Sequence, residues 1–154
     1  MSDVIEIWTD GGCHGNPGPG AWAFVLRTTG AEIERSGFDP ETTNNRMELT
    51  AVREALSELA LHPEWSGKRI ALSTDSQYVQ KGITLWIHSW ERSGWKTSAK
   101  KPVKNVELWQ ALSALARDLP ISWLWVLGHA GDPMNERCDT LVQTTIASGG
   151  MRRG

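Results

Sequence analysis

The sequence predicts an α/β fold in which a mixed β-sheet is flanked by helices. Three segments with strand character come first and are joined by short links, and two more alternate with helical segments after residue 43. Short links join antiparallel strands, whereas strands separated by helices usually pair in parallel. The predicted order β-β-β-α-β-α-α-β-α therefore indicates an antiparallel meander followed by parallel strands.

The meander is predicted from the first 40 residues. The first strand covers Val4 to Thr9, where successive side chains are placed on opposite faces of the strand. A turn rich in glycine and proline follows, and the second strand covers about 21–27. Thr29-Gly30 then leads into a third strand over about 32–38.

Helical periodicity begins after Thr43, the predicted N-cap of a helix that runs to about Ala60. The later predicted elements are, in chain order, a strand over 69–74, a helical and tryptophan-rich segment from 75 to 95, a helix over 106–119, a strand over 121–127 and a last helix to about 147. Asn135 is the predicted N-cap of that last helix, and we expect a short flexible tail after it.

Length and composition are those of one globular domain. With 154 residues, 40% of them hydrophobic, we expect one domain over 1–154 with its core at about 4–147. No apolar run is long enough to span a membrane, and no signal-peptide pattern opens the sequence. The two cysteines lie far apart, which argues against a disulfide framework. We therefore expect a cytoplasmic monomer without membrane association or an obligatory protein partner.

The charge is unevenly distributed along the chain. The net charge is −2, but the segment from Lys81 to Lys104 has six basic residues against the single acid Glu91, a local charge of +5. A basic segment interleaved with aromatic residues is typical of a nucleic-acid-binding surface. The alternative is a tryptophan-anchored helix pair whose lysines are simply solvated.

Two acids occupy predicted inward-facing helical positions. The apolar stripe of the helix after Thr43 includes Val52, and Glu48 lies four residues before it on the same stripe. In the last helix, Asp139 lies three residues before the inward-facing Val142. A buried carboxylate is unfavourable unless positive charge compensates it. Glu48 could instead be a boundary residue, and Asp139 could pair with Arg137 or Arg46.

Two further acids, Asp10 and Asp75, close the first and fourth predicted strands. Ligands of open α/β sheets collect at strand ends, although aspartate is also common in turns. Taken together with Glu48 and Asp139, these residues predict a site for hard divalent cations such as Mg²⁺, which prefer carboxylate oxygens.

With these motifs in view, the sequence closely resembles bacterial type 1 ribonuclease H. The matches occur in family order over about 5–147. The matching stretches are Trp8–Cys13, Gly15–Gly20, Thr43–Leu49, Ser73–Val79, Gly82–Thr84, Trp86–His88, Gly94–Thr97, Lys101–Asn105, Gly128–Gly131 and Asn135–Asp139. The resemblance implies a ribonuclease H-like, five-stranded mixed sheet flanked by helices.

The resemblance also implies an activity. It assigns catalysis and metal binding to Asp10, Glu48, Asp75 and Asp139, with two Mg²⁺ ions bound together with substrate and Mn²⁺ as a substitute. The implied reaction is endonucleolytic hydrolysis of the RNA strand of RNA–DNA hybrids, leaving 5′-phosphate and 3′-hydroxyl ends. Little sequence specificity is expected, because backbone and shape contacts carry little base information.

Further residues receive roles by the same resemblance. His129 is the expected auxiliary catalytic histidine, in a loop where it could move protons. The remaining candidates are expected to contact the nucleic acid. Those expected at the minor groove are Cys13, Asn16, Asn44, Asn45 and Gln77; those expected on the DNA strand are Thr43, Asn105, Trp86, Trp90, Lys96, Lys100, Lys101 and Lys104. The polar ones could equally cap turns or helices.

The sequence departs from the family pattern near two of these groups. Glu91 and Ser93 stand where many bacterial members are basic, so we expect weaker hybrid binding and a steeper loss with salt. Asp132 adds negative charge near His129 and is expected to raise the pKa of that histidine. Two alternative hypotheses are a resolvase or integrase of the same fold and a non-catalytic hybrid-binding module. Against the first hypothesis, the sequence contains no added DNA-binding or multimerising domain. Against the second, a protein that only binds the hybrid would gain nothing from four inward-facing acids, which repel phosphate.

Overall fold

The computed structural model describes residues 4–126 and 132–149. Its centre is a five-stranded sheet in the order β3-β2-β1-β4-β5. The strands are β1 (Val4–Cys13), β2 (Gly18–Thr28), β3 (Ala31–Thr42), β4 (Arg69–Thr74) and β5 (Ile121–Trp125). The first three strands pair antiparallel, while β1 pairs with β4 and β4 with β5 in parallel. The predicted mixed sheet is confirmed.

Helices flank this sheet. They are α1 (Asn44–Ala60), α2 (Gln77–Lys81), α3 (Ile87–Arg92), α4 (Val106–Ala116) and α5 (Pro133–Ser148), with a 3-10 turn at Pro63–Trp65 and a π-helical segment at Gly82–Trp86 between α2 and α3. The predicted cap of α1 is confirmed, because the Thr43 side chain accepts a hydrogen bond from the Arg46 amide. No helix in the described part of the chain is long and apolar enough to cross a membrane.

Two predicted helix ends were wrong. The last helix is capped by Asp132, whose side chain accepts hydrogen bonds from the amides of Met134 and Asn135. Asn135 is instead buried inside the helix. Helix α4 ends at Ala116 rather than at 119, because the residue before Pro120 is disfavoured in helical geometry and the helix unwinds before it. The predicted end of the last strand, residue 127, lies outside the described residues.

The core lies mainly on one face of the sheet. There α1 packs on β1 and β2, and α4 packs on α1. The fully buried residues of this layer include Ile7, Phe24, Leu49, Val52, Leu72 and Trp109. A smaller cluster forms on the opposite face, where Val142 and Ile146 of α5 pack against Ala21 and Ala23 of β2. The sheet therefore lies between two helical layers.

Candidate active site

Three of the four predicted acids meet at one end of the sheet. Asp10 lies in β1, Glu48 in the first turns of α1 and Asp75 immediately after β4. One oxygen of each carboxylate lies within 4.8 Å of the others. Asp10 does not close β1 as predicted, because β1 continues to Cys13 in its pairing with β2. The parallel pairing of β1 with β4 ends at Trp8 and Ser73, so Asp10 and Asp75 each lie two residues beyond it at the same end of the sheet.

The environment disfavours the charged form of these acids. Asp10 is only 6% exposed. Burial, followed by the charges of Asp75 and Asp139, raises its pKa from 3.8 to about 8, against a hydrogen bond from Gly11. The pKa of Glu48 is also raised well above 4.5, first by burial and then by Asp10 and Asp75. A bound cation would reverse this effect, because its positive charge stabilises the ionised carboxylates.

The donor set fits a hard divalent cation. Carboxylate oxygens are the ligands that Mg²⁺ takes in proteins. The Oε1 atom of Glu48 is buried and has no hydrogen-bond partner among the described residues. Since buried polar atoms are normally paired, such an atom beside two other carboxylates indicates a ligand position. These residues could therefore hold the implied metal.

Asp139 lies near this trio without joining it. It is partly buried on α5, and it is close enough for its charge to raise the pKa of Asp10. Neither alternative ion pair for Asp139 occurs, since Arg137 binds Glu32 and Glu34, and Arg46 binds Glu107. The fourth acid is thus at the edge of the site and its position depends on α5.

The loop after β1 is bound to the start of α1 by hydrogen bonds among predicted minor-groove residues. The Cys13 amide donates to Asn44 Oδ1 at 2.9 Å, and the Asn44 amide donates to Asn16 Oδ1 at 3.1 Å. The Cys13 thiol also donates to the Gly15 carbonyl at 3.0 Å. The structure therefore brings Cys13, Asn16 and Asn44 together beside the acids.

The other two predicted minor-groove residues are accessible. Asn45 and Gln77 are both exposed, in the first turns of α1 and α2 respectively. Gln77 is two residues after Asp75, so its side chain begins close to the acidic cluster along the chain. No hydrogen bond joins either side chain to the loop after β1 among the contacts of the described residues.

Thr43 and Asn105, the predicted DNA-phosphate pair, are connected through Arg46. Arg46 Nη1 donates to Asn105 Oδ1 at 3.1 Å, while its amide donates to Thr43. Asn105 has φ of 60° and donates from Nδ2 to the Tyr78 hydroxyl at 3.2 Å. Sequence reasoning missed the roles of Arg46 and Tyr78. Both residues lie inside stretches that match the family, at positions to which no function was assigned. A charged or phenolic side chain at such a position could have indicated a structural contact.

The basic segment forms an aromatic-lined surface. Trp86 and Trp90 contact one another with ring centroids 5.6 Å apart, and Trp90 also packs on Trp109. A shallow cavity of about 330 Å³ lies between Tyr78, Trp86, Trp90 and Lys104. Four lysines of the same segment are exposed, and one of them, Lys104, lines this cavity. They are Lys96, Lys100, Lys101 and Lys104.

The residues that depart from the family pattern have local structural contacts. The Glu91 carboxylate accepts a hydrogen bond from Ser113 of α4 and lies 3.8 Å from His88. The Ser93 hydroxyl hydrogen-bonds the backbone of Trp90 and Lys96. Asp132 caps α5, as described above. His129 lies outside the described residues, and its expected role stays a prediction.

Comparison with known proteins places this geometry in a family. The family model for RNase H matches residues 2–147. The chain belongs to the RNase H family. A Ribonuclease H of Hyphomonas neptunium is 55% identical over 141 residues, covering 92% of this chain and 91% of that protein. A Ribonuclease H of Escherichia coli O9:H4 is 56% identical over 143 residues, covering 93% and 89%.

A solved structure agrees with the family assignment. LC9-RNase H1, described as a type 1 RNase H with the type 2 active-site motif, aligns with a TM-score of 0.79 and 30% identity. The alignment covers 100% of this chain and 79% of that one. The predicted RNase H fold and the resemblance to bacterial type 1 RNase H are therefore both confirmed.

Proposed function

We propose that this RNase H is an endonuclease that hydrolyses the RNA strand of RNA–DNA hybrids. The observation that carries the proposal is the set of three carboxylates within 4.8 Å of one another in a chain of this family. The sequence identity to proteins named Ribonuclease H supports the same reaction class. We infer little sequence specificity, because the candidate contacts suit backbone and sugar groups.

The carboxylates of Asp10, Glu48 and Asp75 would hold the metal, with Asp139 at the edge of the site. Two Mg²⁺ ions, for which Mn²⁺ could substitute, would supply activation of a water nucleophile and neutralisation of charge on the departing 3′ oxygen. Hydrolysis would leave a 5′ phosphate and a 3′ hydroxyl. His129 would move a proton near the departing group.

Substrate selection would rest on two surfaces. The bonded group of Cys13, Asn16 and Asn44, together with Asn45 and Gln77, would contact 2′-hydroxyls and base edges of the RNA strand. The DNA strand would lie along the basic, aromatic surface, with its phosphates near Thr43, Asn105 and the four exposed lysines. We further infer a single domain over 1–154 that acts as a cytoplasmic monomer.

The test is cleavage of end-labelled RNA–DNA hybrid, double-stranded RNA, double-stranded DNA and single-stranded RNA, each with Mg²⁺ or EDTA. Asp75→Asn should abolish cleavage. Glu54→Gln is the matched control, because Glu54 lies on α1 but its carboxylate pairs with Arg53. We expect cleavage of only the RNA strand of the hybrid, lost with EDTA. Binding without cleavage under Mg²⁺ and Mn²⁺ would instead make the protein a hybrid-binding module.

A further inference from the structure

Helix α5 is held unevenly along its length. The apolar cluster that joins α5 to β2 contains Val142 and Ile146, which pack on Ala21 and Ala23. Both lie on the C-terminal side of Asp139. The turn that carries Asp139 therefore depends on other contacts for its position. One of them is weak, since the buried Cys138 thiol reaches the Trp8 carbonyl at 3.4 Å.

The strongest contact of that turn is made by Arg137. Its Nε and Nη2 atoms both donate to Glu34 Oε1, at 3.0 and 2.6 Å, and its Nη1 lies 3.0 Å from Glu32 Oε2. Glu32 also binds Arg27, whose guanidinium stacks over the Trp8 ring at 5.3 Å. Arg137 thus connects α5 to two residues of β3 and, through Arg27, to β2 and β1.

The contacts of Arg137 fix its orientation more closely than a single surface ion pair would. Single exposed pairs contribute little to stability, but a planar guanidinium held by two carboxylates has a defined orientation. The Arg137 side chain is 35% exposed, so solvent only partly screens it. The interaction lowers the pKa of Glu32, with the hydrogen bond from Arg137 as its largest cause.

Helix geometry relates this contact to the active site. Residues two apart on an α-helix project about 200° from one another around its axis. Arg137 therefore extends to β3 on one side of α5 while Asp139 projects on the other. A contact on one side of a helix limits rotation about its axis, and such a rotation would move Asp139 relative to Asp10.

We propose that Arg137 is a positioning residue that sets the placement of Asp139 through its contacts with Glu34 and Glu32. The proposal rests on the proposed function in so far as it concerns rate. Arg137 itself contacts no reacting group. It acts by limiting rotation of α5, and its loss removes the ion pairs that connect this turn of the helix to β3.

A double-mutant cycle tests this coupling. Arg137→Ala is measured alone and combined with Asp139→Ala in single-turnover cleavage of the hybrid. We expect Arg137→Ala to slow the step about 10- to 100-fold when Asp139 is present and less than about 2-fold when it is replaced. Hybrid affinity should change little. Equal losses in both backgrounds, or a loss confined to affinity, would overturn the proposal.

Two further variants separate positioning from loss of stability. Thr145→Ala removes another contact of α5 with β3, the 2.9 Å hydrogen bond to Ser36, but about 1.7 turns beyond Asp139. It should leave the rate within about 2-fold of wild type. Arg137→Lys keeps the positive charge but not the planar guanidinium that contacts both carboxylates. Its cleavage rate should fall between those of wild type and Arg137→Ala. A rate loss in Thr145→Ala as large as in Arg137→Ala would contradict specific positioning.

A structural readout keeps the proposal separate from the activity. Crystal structures of the metal-free proteins should show the Asp139 carboxylate displaced relative to Asp10 in Arg137→Ala when compared with wild type. An unmoved carboxylate would overturn the proposal whatever the rates are. If wild type fails to cut the hybrid, the proposed function fails, while this displacement still decides the positioning role.

Discussion

Gly11 allows Glu48 to reach the active site. A Cβ atom built on Gly11 would lie 2.5 Å from the Glu48 amide nitrogen and 2.3 Å from the Met47 carbonyl carbon. No side chain fits between strand and helix at this point, so α1 packs directly on the β1 backbone. This contact, one residue after Asp10, brings the Glu48 carboxylate to the other acids.

Gly11→Ala should therefore damage both stability and catalysis. Backbone atoms cannot move aside as a flexible side chain can, so we expect a loss of about 1–3 kcal/mol in the free energy of unfolding and a large loss of hybrid cleavage. Gly12→Ala is the matched control for stability, because its Cβ would meet only side-chain atoms at 3.7 and 3.8 Å. Urea unfolding of both variants checks this, and equal stabilities would disprove the tight contact.

Glu48→Gln should lower the cleavage activity and raise the stability of the metal-free protein. Without metal, burial and the charges of Asp10 and Asp75 disfavour the ionised Glu48 carboxylate, so replacing it with a neutral amide should raise Tm. Loss of a metal ligand should lower cleavage by more than about 100-fold. Thermal unfolding in EDTA, with Glu54→Gln as control, measures the first effect. A destabilised variant would contradict the repulsion.

Metal-free stability should fall as pH rises. The Asp10 pKa is about 8 in the folded protein but near 3.8 in the unfolded chain. Between these values the folded state binds more protons, so the free energy of unfolding decreases with pH and levels off above about 8. Urea titrations from pH 5 to 9 in EDTA should show this slope. Asp10→Asn should reduce it, and an unchanged slope would show that Asp10 does not titrate there.

Tyr78→Phe should weaken both the fold and hybrid binding. The Tyr78 hydroxyl accepts hydrogen bonds from Trp109 Nε1 at 3.0 Å and Asn105 Nδ2 at 3.2 Å. Its removal leaves two donors without this acceptor, which costs about 1–3 kcal/mol, and leaves the Asn105 side chain held only by its hydrogen bond from Arg46 among the described contacts. Thermal unfolding and hybrid affinity measure the two effects. Unchanged affinity together with lower stability would exclude Asn105 from the DNA surface.

Lys100→Ala and Lys101→Ala should each reduce the salt dependence of hybrid binding. One lost phosphate contact lowers the slope of log affinity against log salt by about 0.7–0.9. Lys68→Ala is the control, since Lys68 directly precedes β4, at the end of that strand opposite Asp75, and contacts Thr28. Binding titrations between low and moderate salt decide the matter. A slope unchanged in both variants would place the DNA strand elsewhere.

Local patterns in the sequence were sufficient to predict most elements. The meander followed from short turns, and the Thr43 cap from a polar residue before an apolar stripe. The cap of α5 was misplaced because aspartate and asparagine cap helices equally well. Asp132 takes the role because Pro133 follows it at the first helical position, which leaves Asn135 to be buried.

The sequence by itself determined the type and order of most elements, because these depend on local periodicity. It also determined the family, because the family motifs are stretches of residue types that occur in order along the chain, and it singled out four acids as candidate metal ligands. Only the tertiary structure decided that Asp10, Glu48 and Asp75 meet while Asp139 stands apart. It also decided that Glu91 binds Ser113 and that Arg137 binds β3. Distances below 5 Å between residues far apart in sequence are set by helix–sheet packing, which depends on every contact at once.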